Sequence, residues 1–331
     1  MPLLALPLLA VALPATASAA PTASAAGAKT NCLYLNGTGD TLMANLRTTE
    51  RATGITYNCL ETFTDAVANW TEWEHPWIDG PQYGFVEFVK ASKARRVVIS
   101  MNLIPASETD IPDPLGWEDS CGAGHFNSYA VTLAKQLVAN GFGHSIIRLG
   151  KEMNGSWEND FIGTTATEQR DWAGCFAREV TAMRSVRGEA FQFDWNVNAC
   201  VGDYKLAGFY PGDSYVNMVG VDSYDSFCDG GHPAPSGGAF HQLATEPDGL
   251  DAVVTFANEH HKPFSIPEWG TQLTSSGGLG DDPHYVTGIG NFVAHHDVAY
   301  QSYFDPARDG IIPLAAAFPL TLKAYKAAFK K

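Results

Sequence analysis

The sequence predicts an α/β fold, a single (β/α)8 TIM barrel. Eight short apolar segments alternate with amphipathic segments along the chain, as strands and helices do in such barrels. No linker rich in Pro and Ser, and no break in composition, divides residues 32–331, so this region has the length of one barrel rather than of two domains. A doubly wound open sheet is the main alternative.

The strand candidates are short, rich in β-branched residues and bounded by Gly, Pro or Asp, which is typical of buried parallel strands. In chain order they are Cys32–Leu35, Thr56–Leu60, Arg96–Leu103, Ser145–Leu149, Gln192–Val197, Met218–Val221, Pro263–Ile266 and Val298–Tyr303.

The helix candidates carry apolar residues on one face. Pro81–Lys93 has such a stripe, and so does His125–Asn140, which ends at Gly141 as a helix C-cap would. The link between Asn198 and Asn217 is too short and Gly-rich for a full helix. The other candidates are Thr167–Val186, Pro247–His260, Pro283–His295 and Pro319–Lys330.

The first 29 residues differ in kind, because they carry no charge before Lys29. Their apolar run breaks at Pro14, too early to span a bilayer, and Ala17-Ser18-Ala19 fits a signal-peptidase site. We expect residues 1–29 to be a signal peptide and small-residue linker, residues 30–331 to form the barrel, and the mature protein to be secreted. A tail of Ala, Ser and Pro is the alternative.

The cysteines agree with export. All six follow residue 29 and none forms a C-x-x-C pair, so disulfides are a better explanation than zinc. Strands adjacent in sequence are adjacent in space in a barrel. We therefore expect the sequential pairing, which is Cys32–Cys59, Cys121–Cys175 and Cys200–Cys228.

The formal charge of −15 excludes polyanionic partners. Nucleic acid and an anionic membrane surface would both be repelled, so we expect a soluble monomer with a neutral partner. Motifs for other chemistries are missing: there is no HExxH, no G-x-S-x-G and no Walker A loop. We expect no cofactor and no metal.

Polar residues gather where the predicted strands end, which is the edge that carries active sites in (β/α)8 barrels. Two isolated glutamates, Glu152 and Glu268, follow strands four and seven. Since side chains alternate along a strand, Arg148 and Glu152 should point into the barrel. The same parity selects Asp194, Asn196 and Asn198 on strand five, and Asp222 and Tyr224 on strand six.

Two carboxyl groups about 5–5.5 Å apart can hydrolyse a glycosidic bond with retention, one as nucleophile and one as acid and then base. Burial or a nearby negative charge would keep the acid protonated, and Arg148 or Tyr224 would favour the ionised nucleophile. Trp157, Trp269 and Tyr303 would stack on sugar rings, while Asn154, Asn196 and Asn198 would bond hydroxyl groups. The Trp70, Trp73 and Trp77 cluster either lines distal sugar subsites or packs a loop.

Three segments resemble the signature strands of glycoside hydrolase clan A, and within it family 26: R-L-G-K-E-M-N-G-S-W (148–157), V-G-V-D-S-Y-D (219–225) and P-F-S-I-P-E-W-G (263–270). That family includes β-mannanases, mixed-linkage β-glucanases and β-1,3-xylanases. The resemblance implies that Glu152 is the general acid/base and Glu268 the nucleophile, with Tyr224 bonding the nucleophile and Asp222 supporting the site. The chain departs from the mannanase pattern at Lys151, where His is usual, and at strand eight, which lacks a Trp.

Three functions are compatible with these motifs. The first is a secreted retaining endo-β-glycanase acting on a neutral polysaccharide such as β-mannan or β-glucan. The second is an exo-acting clan-A glycosidase, for example a furanosidase acting on microbial cell-wall glycan. The third is a non-catalytic carbohydrate-binding barrel, against which the presence of both glutamates argues.

Overall fold

The computed structural model describes residues 30–65, 67–108, 116–199, 201–202, 204–225, 238–306, 313–314 and 318–330. Within them the chain forms a closed barrel of eight parallel strands in sequential order, so the predicted fold class is confirmed and the open sheet is excluded. The strands are β1 (Thr30–Tyr34), β2 (Cys59–Phe63), β3 (Arg96–Met101), β4 (Ile146–Leu149), β5 (Gln192–Asn198), β6 (Met218–Tyr224), β7 (Phe264–Gly270) and β8 (Val298–Phe304).

Helices surround the barrel on its outer side. They are α1 (Gly39–Thr53), α2 (Trp70–Glu74), α3 (Phe85–Lys90), α4 (Trp117–Gly122), α5 (Asn127–Asn140), α6 (Ala166–Arg184), α7 (Gly238–Thr245), α8 (Leu250–Glu259), α9 (Pro283–His295) and α10 (Pro319–Phe329). Between β5 and β6 the described residues hold only a 3-10 turn, as expected. No helix in the described part of the chain is both long and apolar enough to cross a membrane.

The largest error of the strand prediction concerns β2, which lies three residues later than expected. This shift brings Glu61 and Phe63 into the strand. Strands β6 and β7 also extend beyond their predicted ends, so that Asp222, Tyr224 and Glu268 belong to the strands themselves.

The helix prediction omitted α1, α2, α4 and α7, and it joined a 3-10 turn and α3 into one helix. The buried stripe of α1 consists of Leu42, Leu46 and two threonines, which gives only a weak apolar period. The expected helix Pro81–Lys93 is a 3-10 turn and α3, separated by Gly84 in the left-handed region at φ 87°. A left-handed residue ends a helix.

Two of the three expected disulfides are present, Cys32–Cys59 and Cys121–Cys175. The first joins β1 to the neighbouring strand β2, where the two cysteines are register partners. The second joins α4 to α6. The expected Cys200–Cys228 pair, like the expected signal peptide at residues 1–29, lies outside the described residues.

Candidate active site

A single arginine occupies the centre of the barrel interior. Arg148 lies on β4, is completely buried, and has every side-chain nitrogen engaged. Its partners come from five other strands: Glu61 Oε1 at 2.5 Å, Ser100 Oγ at 2.8 Å, Glu268 Oε1 at 2.8 Å, Asp222 Oδ2 at 2.5 Å and Asn196 Oδ1 at 3.1 Å. The predicted inward parity of β4 is therefore correct.

Glu268 is held by donors on both of its oxygens. Arg148 Nη1 donates to Oε1, the Tyr224 hydroxyl donates to Oε2 at 2.9 Å, and the backbone N–H of Glu268 donates to Asp222 Oδ1 at 2.9 Å. The side chain is 10% exposed, so it retains a small opening toward solvent. Two donors and a cation favour a carboxylate of fixed orientation, which is the state that a nucleophile needs.

Glu152 lies just beyond β4 in a different environment. Its Oε1 accepts from Asn198 Nδ2 at 2.7 Å and its Oε2 from Trp157 Nε1 at 2.9 Å. Burial and the charge of Glu268 raise the pKa of Glu152, while Lys151 and the two hydrogen bonds oppose that shift. The backbone adopts φ 47°, a left-handed conformation that costs a residue with a Cβ about 1–3 kcal/mol. Strain of this kind clusters at functional sites.

The carboxyl groups meet at the mouth of the barrel. One oxygen from each of Glu152, Asp222 and Glu268 lies within 4.8 Å of an oxygen from each of the others. Oxygens this close are compatible with the roughly 5–5.5 Å between carboxyl groups that is typical of retaining glycoside hydrolysis. The three oxygens are also close enough to ligate a cation, although Arg148 already places a positive charge on Asp222 and Glu268.

The pKa values of the ionisable groups around Arg148 and Glu268 are shifted by burial and by neighbouring charges. Burial raises the pKa of Glu61 to about 7, although Arg148 opposes the shift. Burial also raises the pKa of Asp222, again against Arg148. The pKa of Tyr224 is raised by burial and by the charge of Glu268, so its hydroxyl remains a hydrogen-bond donor. The site therefore combines one fixed cation with several carboxyl groups of different proton affinity.

Lys151 does not project freely into the site. Its Nζ lies 2.6 Å from Glu158 Oε1 and 3.0 Å from Asp65 Oδ2, and the side chain is 8% exposed. The lysine therefore ties the loop after β4 to the loop after β2. It supports the site through these loops, and its ammonium group is already occupied by carboxylates.

Two of the three asparagines expected to bond sugar hydroxyls have other partners. Asn196 is completely buried between Arg148 and Asp222 Oδ2, to which it donates at 2.9 Å. Asn154 is also completely buried, and it exchanges hydrogen bonds with the backbone of Asn198. The expectation that they contact sugar is wrong because both side chains lie beneath the surface of the site. Asn198 is partly exposed and contacts Glu152.

Trp269 and Tyr303 cannot stack on a sugar, because both rings are completely buried. Trp269 donates to Gln301 and stacks on Tyr325 at 5.8 Å. The reason is strand parity: Glu268 points into the barrel, so its neighbour points into the helix layer. The same rule turns Tyr303 outward. Trp157, in contrast, is 57% exposed beside Glu152.

Alternation on β8 brings a different aromatic residue to the mouth. Phe304 packs at the end of the strand with its ring stacked on Tyr34 at 4.6 Å and edge-on to Phe63 at 5.8 Å. Tyr224 contacts the same ring at 6.0 Å. This aromatic group beside Tyr224, which bonds Glu268, was not predicted. Alternation along β8 from the inward-facing Tyr300 nevertheless selects Phe304.

Three further residues near the site were not predicted from the sequence: Glu61, Asp65 and Glu158. Glu61 has the same parity as Cys59 and Phe63, but the predicted end of β2 at Leu60 excluded it. Asp65 and Glu158 lie in loops, where no periodicity indicates which way a side chain points.

The tryptophans after β2 belong largely to packing. Trp73 is buried and donates to the carbonyl of Asn102, and Trp70 stacks on Tyr129 at 4.2 Å. Of the three, Trp77 is the most exposed, at 36%. A packing role is therefore correct for Trp70 and Trp73.

Comparisons with known proteins agree with the barrel and with the signature segments. A family model described as glycosyl hydrolase family 26 matches residues 127–265, which include Glu152 and Asp222. A search of curated proteins found no significant sequence match.

Several solved structures share the fold. A modular endo-β-1,4-mannanase from Cellulomonas fimi is 15% identical over 91% of this chain and 70% of its own, with a TM-score of 0.63. A family 26 β-mannanase from Bacteroides ovatus is 13% identical over 91% and 88%, with a TM-score of 0.62. A family 26 protein from Muricauda sp. MAR_2010_75 is 13% identical over 92% and 86%, with a TM-score of 0.64. The chain is thus a (β/α)8 barrel that is similar to glycoside hydrolase family 26.

Proposed function

We propose that the protein is a secreted retaining glycoside hydrolase that cleaves β-glycosidic bonds within a neutral polysaccharide, of the β-mannan or β-glucan type. The observation that carries this proposal is the pair Glu152 and Glu268, whose oxygens lie within 4.8 Å in contrasting environments. Glu268 is fixed by a cation and a hydroxyl group, whereas burial and a neighbouring charge raise the pKa of Glu152.

In the first step a Glu268 oxygen attacks the anomeric carbon. The bond from that carbon to the leaving-group oxygen breaks, and Glu152 gives its proton to this oxygen. The Tyr224 hydroxyl and Arg148 hold the attacking carboxylate in place during the approach. The result is a covalent glycosyl ester on Glu268 and a free leaving group.

In the second step Glu152, now a carboxylate, takes a proton from water. The water oxygen bonds to the anomeric carbon and Glu268 departs as a carboxylate. Two inversions give net retention. The charge of Glu268 raises the pKa of Glu152. This pKa therefore falls when Glu268 becomes a neutral ester, and it rises again when the Glu268 carboxylate is restored.

A neutral polymer fits the charge of this protein, since its formal charge of −15 would repel an anionic one. The endo-β-1,4-mannanases among the structurally similar proteins favour β-mannan as the first candidate. Two disulfides among the described residues agree with an oxidising compartment, which supports the expectation of secretion.

The test is a panel of galactomannan, glucomannan, lichenan and β-1,3-xylan, with polygalacturonate as the anionic comparison. We expect internal cleavage of a neutral polymer, seen on a reducing-end-labelled oligosaccharide, and a product of retained anomeric configuration. Release of single sugars would favour the exo-acting alternative.

The assignment of Glu268 has its own test. Glu268→Ala should abolish turnover, and azide should restore it with inverted product configuration. Glu87→Ala, an exposed carboxyl on α3, is the matched control. Near-normal activity of Glu268→Gln would overturn the assignment.

A further inference from the structure

A buried carboxyl group lies against one of the two disulfides. Glu179 on α6 is 1% exposed, and its Oε1 lies 3.8 Å from Cys121 Sγ. A disulfide sulfur carries no hydrogen, so this neighbour is not a donor. The other oxygen, Oε2, is buried and has no hydrogen-bond partner among the described residues. The carboxyl group has thus been removed from water without gaining a donor, which costs free energy.

The carboxyl group and both sulfurs lie close together in the helix layer. Cys175 and Glu179 are four residues apart on α6, so they share one face of the helix. Cys121 reaches this face from α4. One ligand atom from each of the three residues lies within 4.8 Å of those of the others, and all three residues are buried. Two thiol groups and a carboxyl group therefore meet here whenever the disulfide is open.

This set of side chains suits zinc. Zinc binds thiolates and carboxylates, and its structural sites have four ligand atoms in tetrahedral geometry. With Zn–S bonds of about 2.3 Å, two sulfurs of such a site lie about 3.8 Å apart. The Cα atoms of Cys121 and Cys175 are 4.9 Å apart, so rotation of the side chains gives this separation without moving α4 away from α6. The two oxygens of Glu179 complete four ligand atoms.

The other disulfide lacks this arrangement. Cys32 and Cys59 join two neighbouring strands, and in the described part of the chain no further His, Cys, Asp or Glu joins them to make a group of three ligands. The carboxyl group beside Cys121–Cys175 is therefore not a general companion of the disulfides in this protein.

We propose that Cys121, Cys175 and Glu179 bind Zn²⁺ in the dithiol form of the chain, before the Cys121–Cys175 disulfide forms. Binding displaces the protons of the two thiols and of the carboxyl group, and nothing is oxidised or reduced. The metal and the disulfide exclude each other, because both use the same two sulfurs. Since the three side chains are buried, the ion enters as α4 packs on α6, and its binding contributes to folding. The site does not depend on the proposed function.

The test uses the full chain, reduced with a phosphine in denaturant and refolded without oxygen. The phosphine becomes its oxide as each disulfide becomes two thiols. Cd²⁺ serves as the probe, because its bonds to thiolates give a charge-transfer absorption. We expect this absorption in the refolded chain, its loss on addition of excess Zn²⁺, and a higher midpoint of thermal unfolding with Zn²⁺ than with a chelator. A refolded chain without the absorption would overturn the proposal.

Matched variants assign the site. The reduced Cys32→Ala, Cys59→Ala variant should bind as much Cd²⁺ as wild type, and the Cys121→Ala, Cys175→Ala variant should bind one ion fewer. Glu179→Gln keeps both thiols and the size of the side chain. It should weaken binding by more than about tenfold, because even the loss of a group behind the ligands costs that much. Unchanged affinity in Glu179→Gln, or unchanged stoichiometry in the Cys121, Cys175 variant, would overturn the site.

The rate of oxidation provides a second measurement. Oxidised glutathione, which is itself reduced to two thiols, should form Cys121–Cys175 more slowly with Zn²⁺ than with a chelator, whereas Cys32–Cys59 should be much less affected. Peptide mapping of samples trapped at successive times measures both rates. Equal rates for Cys121–Cys175 with and without Zn²⁺ would overturn the proposal. Neither measurement involves turnover, so failure of the proposed function would be seen separately, as a wild type that cleaves no neutral polysaccharide.

Discussion

Arg148 Nη1 donates to Glu268 Oε1 at 2.8 Å from the centre of the barrel, where the guanidinium group is completely inaccessible to solvent. The same guanidinium group bonds Glu61 and Asp222 at 2.5 Å each. One cation therefore links the proposed nucleophile to carboxyl groups from two other strands, and the stability of the barrel and the geometry of the site depend on the same residue.

Replacing this cation should destabilise the fold. Arg148→Met leaves Glu61, Asp222 and Glu268 without their shared partner, and we expect the free energy of unfolding to fall by about 3–5 kcal/mol. Urea denaturation followed by circular dichroism measures it. Arg170→Met, which breaks a pair on a side chain that is 70% exposed, should change stability by less than about 1 kcal/mol. Equal effects of the two variants would contradict this account of Arg148.

Removal of the proposed acid should affect substrates according to their leaving groups. Glu152→Ala should lower turnover of natural oligosaccharides by about 10²–10⁴-fold, because their alkoxide leaving groups need a proton. Activated aryl glycosides, which leave without one, should be affected far less. Steady-state kinetics on both classes measures the difference. A uniform loss on both would contradict the role of Glu152 as the acid.

The stability of the protein should depend on pH through Asp225. Burial raises the pKa of this carboxyl from 3.8 to about 8, although backbone donors from Gln272 and Leu279 oppose the shift. Between these values the folded chain holds a proton that the unfolded chain has lost. The free energy of unfolding contributed by this group therefore decreases as pH rises from about 4 to about 8.

Asp225→Asn tests this dependence, since an amide keeps an acceptor oxygen but does not titrate. We expect a shallower fall in stability with pH, measured by thermal unfolding at pH 5, 6, 7 and 8. Asp251→Asn, on the exposed face of α8, should leave the slope unchanged. An unaltered slope in Asp225→Asn would show that this carboxyl is already ionised in the folded protein.

The disulfide between α4 and α6 should contribute substantially to stability. Cys121–Cys175 closes a loop with a sequence separation of 54, against 27 for Cys32–Cys59. The double variant Cys121→Ser, Cys175→Ser should lose about 2–4 kcal/mol, and more than the corresponding Cys32, Cys59 variant, since a longer loop restricts the unfolded chain more. Denaturant unfolding measures both losses. The opposite order would argue against a mainly entropic effect.

Peptide mapping of the unreduced protein checks the pairing itself. Mass spectrometry should recover linked peptides for both bridges, and it also decides whether Cys200 and Cys228 form the third predicted pair. Recovery of Cys121 linked to any other cysteine would contradict the structure.

The sequence alone was sufficient for the fold class and for the position of Glu152 and Glu268 at the same end of the barrel. Short apolar segments typical of strands alternate along the chain with amphipathic segments of helical period. Glu152 and Glu268 each follow one of the short apolar segments. Parity along β4 also placed Arg148 inside the barrel, because alternation of side chains is a local property of a strand. These features depend on short-range geometry, which a linear pattern records.

Tertiary structure decided what each polar or aromatic residue touches. Trp269 and Tyr303 proved to be core residues because the parity of their strands turns them toward the helices. Glu61 proved to be a partner of Arg148, which was missed because β2 extends beyond its predicted end. Asn196 and Asn154 have partners on other strands and loops, separated from them by 26 residues or more. Such contacts depend on barrel closure and loop packing, so their physical cause is long-range, and no spacing along the chain predicts them.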